Sequence, residues 1–543
     1  MTSEHRTARA SADFDIAIIG MGPVGATAAL FLARAGLTVA VIERDEAVYK
    51  LPRAVALDGE IIRGFQWLGL GEAVNGLLQP LRPGEHVGFG NSKRELLFKQ
   101  VPTPFNSNGW QSFNMFDQPE LEGFLRDAAL AEANVTAHIG AEATAIRDAG
   151  DRVVIDGRHL GSGEAFRFSA RYLIGCDGAS SFVRRSIGSG WHDLGYDHDW
   201  LVVDIITHPG HPLDRNTMQV CDPDRLSTYV RTKDPYRRWE FKLNPGETWE
   251  EMLEPERIQS LIDPWAARGT YDIRRAAVYQ FHAAVADRWR SGNIFIAGDA
   301  AHQTPPFLGQ GMNAGMRDAI NLAWKLPLVM SGEASPALLD TYQAERLAHA
   351  TDLVDWAVAI GQLMEHLAAV EAAERKGEPP PAVPDKQQSS GYGQGREMPP
   401  LRDGVIVLGQ LSDSGSTGYL FSQPMVRDGN GHEYRLDEGL GPGFAVVARD
   451  ADALKVSPAS EAVLRRLNAR RVSLDGLDAT QGKFDRLFDD AAAAIVRPDR
   501  YVFGHTDERR GLDELIAQLA NLLHLTHYSN SHFGRSKGVP PSS

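Results

Sequence analysis

Gly20, Gly22 and Gly25 stand in a G-x-G-x-x-G spacing between an apolar run, Phe14 to Ile19, and an Ala- and Leu-rich run, Pro23 to Ala35. Where a strand meets a helix, that spacing suits a dinucleotide pyrophosphate. The first glycine permits the tight turn, the second lets the backbone approach the phosphates, and the third lets helix pack on strand. The helix start adds unpaired N–H groups and a partial positive charge. Glu43 closes the next apolar run, Leu37 to Glu43, where a carboxylate accepts hydrogen bonds from a ribose hydroxyl pair. On their own these residues leave open whether the dinucleotide is FAD or a nicotinamide.

Two distant segments carry an acid in a similar setting. Tyr172 to Cys176 reads as a short buried strand followed by Asp177-Gly178, and Asn293 to Ala297 as another followed by Gly298-Asp299. Ligands of a doubly wound sheet lie beyond the carboxyl ends of its strands, so Asp177 and Asp299 are expected in the same crevice as Gly22. Taken singly, each also reads as a helix N-cap. Further on, Gly309-Gln310-Gly311-Met312-Asn313 leads into a long helix from about Met312 to Met330. Glycine-rich backbone at a helix start makes a concave group of N–H donors that favours an anion.

These residues need elements to hold them. Strand, turn, helix and strand at the N-terminus form one βαβ unit, and Pro119 to Glu132 reads as a further helix. From about Asp199 to Leu243 the pattern turns to strand-like alternation, with Trp239, Phe241 and Leu243 on one face and charges on the other. The expected fold is α/β: a Rossmann-like first part over 13–190, with strands near 80–115 joining a substrate sheet over 191–280. The first domain then resumes over 281–373 with long helices. Residues 374–400, with three successive prolines and a Gly-Tyr-Gly-Gln-Gly stretch, read as a linker. Strands at Phe444 to Ala448, Ala469 to Ser473 and Ala492 to Val496, with a helix at Gly511 to Leu523, suggest a separate α/β domain over 401–535.

With 543 residues the chain is too long for one core, and 43% hydrophobic with 23% charged residues is a globular balance. A net charge of −15 argues against nucleic acid as a partner. Cys176 and Cys221 are the only cysteines, so no disulfide framework or metal-ligand spacing arises, which fits a reducing cytosol. Met1 to Asp13 lacks the apolar stretch of a signal peptide, and no membrane span is expected.

Taken together, the glycine turn, the two aspartate turns and the Gly309–Asn313 stretch resemble the class A flavoprotein hydroxylases, over roughly Asp13 to Ala350. The resemblance implies a single-component FAD monooxygenase. NADH or NADPH visits transiently to reduce the flavin, O2 is activated, and a phenolic ring is hydroxylated to a catechol. Asp177 and Gly178 match the turn that serves both FAD and the nicotinamide, and Asp299 the turn that holds the ribityl chain. Gly309, Gln310, Gly311, Met312 and Asn313 match the segment facing the N1/C2-carbonyl edge of the isoalloxazine. Arg53 and Gln118 also match cofactor-contact positions, although alone they read as a surface charge and a helix cap. Arg44 borders the adenosine position, or is simply solvated.

Within the family, Arg237-Arg238-Trp239-Glu240-Phe241, Gly315-Met316-Arg317-Asp318-Ala319 and Tyr342-Gln343-x-Glu345-Arg346 resemble the branch acting on 3-hydroxyphenylpropionate-like phenolic acids. Several of these pieces are shared with hydroxylases of polycyclic natural products and antibiotics, which is one alternative. An FAD reductase that does not activate oxygen is another. The tail, with Arg497-Pro498-Asp499-Arg500-Tyr501, resembles an appended thioredoxin-like domain. It has no cysteine for thiol chemistry and is expected to serve packing or a homodimer. Pro305 marks the substrate pocket by the same resemblance. Trp239, Phe241 and Tyr229 are candidates for an aromatic lining, set against plain core positions. Arg225, Arg231 and Arg238 are candidates for a substrate carboxylate. His302 and His282 are candidate bases, set against structural roles, and no general base is assigned.

Overall fold

A computed structural model describes residues 12–101, 105, 107–383, 398–411 and 416–526. Most of the 374–400 linker lies outside them. The residues group into two compact units, one within 1–104, 111–323 and 350–397, the other within 105–110, 324–349 and 398–543.

The first unit contains a parallel sheet in the order 294–296, 165–175, 14–19, 39–43, 135–139. Its central strands are fully apolar because both faces are covered: Ile16, Ala17, Ile18, Val39, Ala40 and Val41 are all inaccessible to solvent. The strand expected over Tyr172 to Cys176 is in fact Ala165–Gly175. Its first half leaves the parallel layer to pair with the antiparallel strand Val153–His159. Helix Pro23–Arg34 follows the glycine turn with proline at its first position, where a missing N–H costs nothing. Chain order reverses on either side of strand Phe14–Ile19, and such a reversal opens a crevice at the strand ends.

A second, eight-stranded sheet runs in the order 302–303, 271–286, 191–207, 236–242, 227–231, 217–220, 87–90, 96–100. Its two long strands, Trp191–Thr207 and Tyr271–Ala286, pair antiparallel along most of their length. One face packs on helices Trp249–Met252 and Pro255–Ile262. Leu201, Val203, Tyr229, Trp239 and Phe241 meet Met252, Ile258 and Ile262 there. Tyr229, Trp239 and Phe241 are thus core residues, each at most 3% exposed. The charged residues of the opposite face, Asp204, Arg238 and Glu240, are also buried.

Helix Thr341–Lys376 belongs to a stretch long and apolar enough, by length and composition, to cross a membrane. Its Ile360, Met364 and Ala368 instead pack with Phe89 and Trp200 in a core cluster.

In the second unit, strands run in the order 470–473, 445–448, 493–496, 502–505. The first pair is parallel and the others antiparallel, and helices Pro458–Arg466 and Leu512–Leu522 accompany them. A buried ionic network ties residues 325 and 345 to this part. Glu345 Oε2 meets Lys325 Nζ at 2.9 Å and Arg497 Nη2 at 2.7 Å, and Glu345 Oε1 accepts from the Val405 amide at 2.9 Å. Arg497 and Lys325 hold the Glu345 carboxyl down at about 2 against the opposing effect of burial. Because that value lies below the unfolded one, its stabilisation is present above the ordinary carboxylate range and is lost as pH falls toward 2.

Both cores can be probed by single substitutions. Trp239→Ala is expected to destabilise the first unit by about 3–5 kcal/mol, measured by urea unfolding. Glu345→Gln leaves two buried cations without their shared anion and is expected to cost about 3–5 kcal/mol in the second unit, read in the same way.

Candidate functional site

The hydrogen-bond register fixes where the chemistry-bearing turns meet. Ile19 pairs with Gly175 and with Ile42, and Gly175 pairs with Ile296, so the three parallel partners end within a residue or two of one another. Gly20, Glu43, Asp177 and Asp299 therefore emerge at one edge of the sheet, although the sequence scatters them widely.

At the glycine turn, Gly20 has φ +93, and a Cβ there would stand 2.4 Å from the Cys176 carbonyl oxygen. A Cβ on Gly25 would stand 2.0 Å from the Gly20 carbonyl oxygen, whereas one on Gly22 would meet nothing within 4 Å. Gly20 and Gly25 are thus required by the protein's own packing. Gly22 borders open space, as a backbone approached by a ligand should. The Met21 amide donates to Glu43 Oε2 at 2.5 Å, and the Asp45 amide donates to Glu43 Oε1 at 2.8 Å. Arg126 Nε donates to the Met21 carbonyl at 2.8 Å while its Nη2 pairs with Glu122. Glu43 and Arg126 brace the turn from behind, a role that spacing alone did not reveal. Arg44 is exposed beside Asp45.

Asp177 is committed to its own turn: Ser181 Oγ donates to one oxygen at 2.5 Å and the Val183 amide to the other at 3.0 Å. Gly178, with φ +76, follows it. Asp299 is open to solvent on a single 3-10 turn. Protein packed around the crevice raises its carboxyl above the ordinary range, and His302 and Arg53 oppose the shift. Behind it, the Gly298 amide and His302 Nε2 both reach Asp318 Oδ2, at 3.0 and 2.8 Å. His302 is 1% exposed, so it anchors the turn from inside. His282, in contrast, is at the surface near Asp197.

The loop after Pro305 folds back on the segment near residue 56. Gly309 has φ +63, and a Cβ there would stand 3.2 Å from that of Ala56. Asn313 Nδ2 donates to the carbonyls of Ala56 and Gly309, while Asn313 Oδ1 accepts from the Asp58 amide at 3.0 Å. Arg317 spans Glu60 at 2.7 Å, Asp58 at 3.1 Å and Gln310 at 3.0 Å. Helix Gly311–Met330 begins here with no acidic residue of its own in its first turn. Gln118 Oε1 accepts from the amides of Arg53 and Ala54 at 2.9 and 2.8 Å and so fixes that segment. The Arg53 side chain is exposed, with its guanidinium over the Tyr49 ring.

The three arginines weighed for a carboxylate have other partners. Arg225 pairs with Glu247. Arg238 pairs with Asp204 and donates to the carbonyls of Pro52 and Arg53. Arg231 is fully buried, with Glu85 and Asp234 each at 3.9 Å. Asp58, Glu60, Arg126 and Asp318 were not singled out from sequence as site residues. The D-x-E pair at 58–60, which starts a helix, was the available signal.

The chain is similar to known proteins over most of its length. Residues 13–357 match the family described as FAD binding domain, and residues 418–522 match the HcaD C-terminal domain. The chain belongs to that FAD-binding family and is an FAD-dependent aromatic hydroxylase, a monooxygenase class. It is 32% identical to a probable NADH-specific resorcinol 4-hydroxylase of Rhodococcus jostii (strain RHA1), over 93% of this chain and 95% of the relative. It is 33% identical to a 3-(3-hydroxy-phenyl)propionate/3-hydroxycinnamic acid hydroxylase of Mycobacterium sp. (strain JLS), covering 98% of this chain and 96% of that one. Among solved structures, a ternary complex of aklavinone-11 hydroxylase with FAD and aklavinone superposes with a TM-score of 0.76 and 25% identity. That match covers 95% of this chain and all of the other.

The glycine geometry yields a paired prediction. Gly25→Ala is expected to disrupt the turn itself, lowering both flavin content and melting temperature. Gly22→Ala is expected to lower flavin content alone, leaving the melting temperature of the flavin-stripped protein unchanged. Flavin absorbance per chain and thermal unfolding of the stripped protein check both.

Proposed function

We propose that the chain hydroxylates a small phenolic acid of the 3-hydroxyphenylpropionate type to a catechol, with NADH or NADPH as transient reductant. The reading is supported by the strand ends before Gly20 and Gly298 lying at one sheet edge, and by the close packing of Gly315, in the helix that starts at Gly311, on Val24 and Gly298. In that arrangement the amides after Gly22 would hold the pyrophosphate, with Glu43 nearest the adenosine ribose. Asp299 would accept hydrogen bonds from the ribityl chain. The amides at Gly311 to Asn313 would face the ring edge where negative charge collects on reduction. Arg53, Gln118, Asp177 and Gly178 would complete the wall. The bound flavin supplies redox and oxygen chemistry, while the protein positions the ring and excludes water.

The phenolic-acid substrate is supported by two relatives whose names specify resorcinol and 3-hydroxyphenylpropionate. The aklavinone complex supports a second reading, a polycyclic natural-product substrate. The second sheet is read as an inserted substrate domain, with Pro305 at its pocket. The second unit is read as thioredoxin-like. Its parallel pair spanning a helix, then an antiparallel pair and a final helix, supports that reading. Neither cysteine lies in it, so a packing or dimerising role fits.

Screening phenolic acids and polycyclic phenols for accelerated NADH-dependent flavin reduction tests the substrate class. Acceleration by 3-hydroxyphenylpropionate or resorcinol is expected, and acceleration confined to polycyclic phenols would favour the second reading. Asp299→Ala is expected to lower the flavin content of the purified protein, and an unchanged flavin-to-protein ratio would refute the role given to it.

A further inference from the structure

Glu240 lies mid-strand in Tyr236–Lys242, on the sheet face opposite Trp239 and Phe241. Antiparallel register places Val202 and Thr228 beside it, with Arg238 and Asp204 paired one step along the strand and Trp200 on the other side. This face meets the crevice-side segments of the unit. Arg238 holds the carbonyls of Pro52 and Arg53, Val230 packs on Val55 and Ala56, and Trp200 packs edge-on against Phe307 with centroids 5.4 Å apart. The same Ala56 and the Phe307 loop are joined through Asn313 and Gly309. The segments that carry Arg53 and Pro305 thus meet the same sheet face on which Glu240 stands.

The neighbouring Asp204, Thr228, Arg238 and Arg275 each have a polar partner, and Glu240 has almost none. Asp204 binds Arg238 at 2.7 Å and Arg275 at 3.0 Å, Thr228 Oγ1 donates to Gln219 at 2.5 Å, and Arg275 donates to the Tyr279 hydroxyl at 2.9 Å. Among the described residues no hydrogen bond reaches the Glu240 carboxylate, whose nearest ionic group is Arg238 Nη1 at 3.8 Å. A buried carboxylate without donors is costly unless it is protonated or a ligand supplies the missing hydrogen bond.

We propose that Glu240 receives that hydrogen bond from the substrate phenol and acts as its general base. The proton of the phenolic O–H passes to the Glu240 carboxylate, leaving a phenolate whose ring carbons are more electron-rich toward hydroxylation. After oxygen transfer the ring releases its C–H proton to water, which restores aromaticity, and Glu240 returns the proton it holds to the phenolate oxygen. Oxygen and reducing equivalents come from the established monooxygenase chemistry. The proposal rests on the phenol-hydroxylase reading given above.

The charges around Glu240 suit the task. Burial and the facing Asp204 push its carboxyl up to about 7, against Arg238 and Arg275. Tyr196, Tyr279 and His198, which stacks edge-on to Tyr196, are further titratable groups of this cluster; burial raises the Tyr196 phenol well above its ordinary value and lowers the His198 imidazole. Tyr196 thus stays protonated across the working range, burial holds the His198 imidazole toward its neutral form, and Glu240 changes charge near neutrality.

Glu240→Gln keeps the shape and removes the base. Wild-type turnover should rise through pH 7 and level off. The Glu240→Gln protein should be about 100-fold slower at pH 7. Its rate should climb as pH approaches the phenol's own ionisation, and fluorinated phenols of lower pKa should recover most of the loss. Difference spectra should show a phenolate band on binding to wild type at pH 8 and not to the variant, with equal flavin content and melting temperature confirming an intact fold. Glu240→Asp serves as the second variant and should retain the pH profile at a reduced rate. An active wild type whose Glu240→Gln form keeps the same pH profile and phenolate band would overturn the proposal. A wild type that no phenol stimulates would instead overturn the reading beneath it.

Discussion

The parallel hydrogen-bond register of three strands, Phe14–Ile19, Ala165–Gly175 and Ile294–Ile296, is the constraint on which the rest of the first unit depends. A parallel sheet must bury both faces, so the mutually paired parts of these strands are mostly apolar and can slip only by exposing or crowding core side chains. Their shared register brings a glycine turn, an Asp-Gly turn and a Gly-Asp turn to one edge. No side chain in the crevice has to be placed by a long flexible loop; each sits within a few residues of a strand end.

A layer of buried charged groups fixes that edge. Glu43 and Arg126 hold Met21, Asp318 holds Gly298 and His302, and Arg317 holds Asp58 and Glu60. Buried pairs of this kind contribute modest net stability, but removing one partner leaves a buried charge, so they fix geometry strongly. The turn glycines and the open carboxylate of Asp299 are thereby preorganised before any ligand arrives, which is where electrostatic assistance to a reaction originates.

Much of this was legible in the sequence. Gly20, Gly22, Gly25, Asp177 and Asp299 were recognisable because strand ends and small-residue turns leave a local signature. The strand boundaries were read to within a few residues except at Ala165–Gly175, whose antiparallel first half carries polar residues that masked it. The second sheet misled for a different reason. Alternation of Trp239 and Phe241 with Arg238 and Glu240 ordinarily means one wet face. Here that face is covered and its charges neutralise one another across strands, as Arg238 and Arg275 do at Asp204. Such partners are distant in sequence and have no local pattern. The aromatic residues proposed for a pocket were instead the core beneath two short helices, and the functional interest moved to the charged face.

The central claim, that this crevice serves an oxygen-activating flavin and not merely a reductase, is tested most directly by isotope. Turnover of 3-hydroxyphenylpropionate or resorcinol with NADH under 18O2 should give a hydroxylated product carrying one labelled oxygen atom, one for each NADH consumed in coupled cycles. NADH oxidation that yields only labelled hydrogen peroxide, with every aromatic compound unchanged in mass, would contradict it.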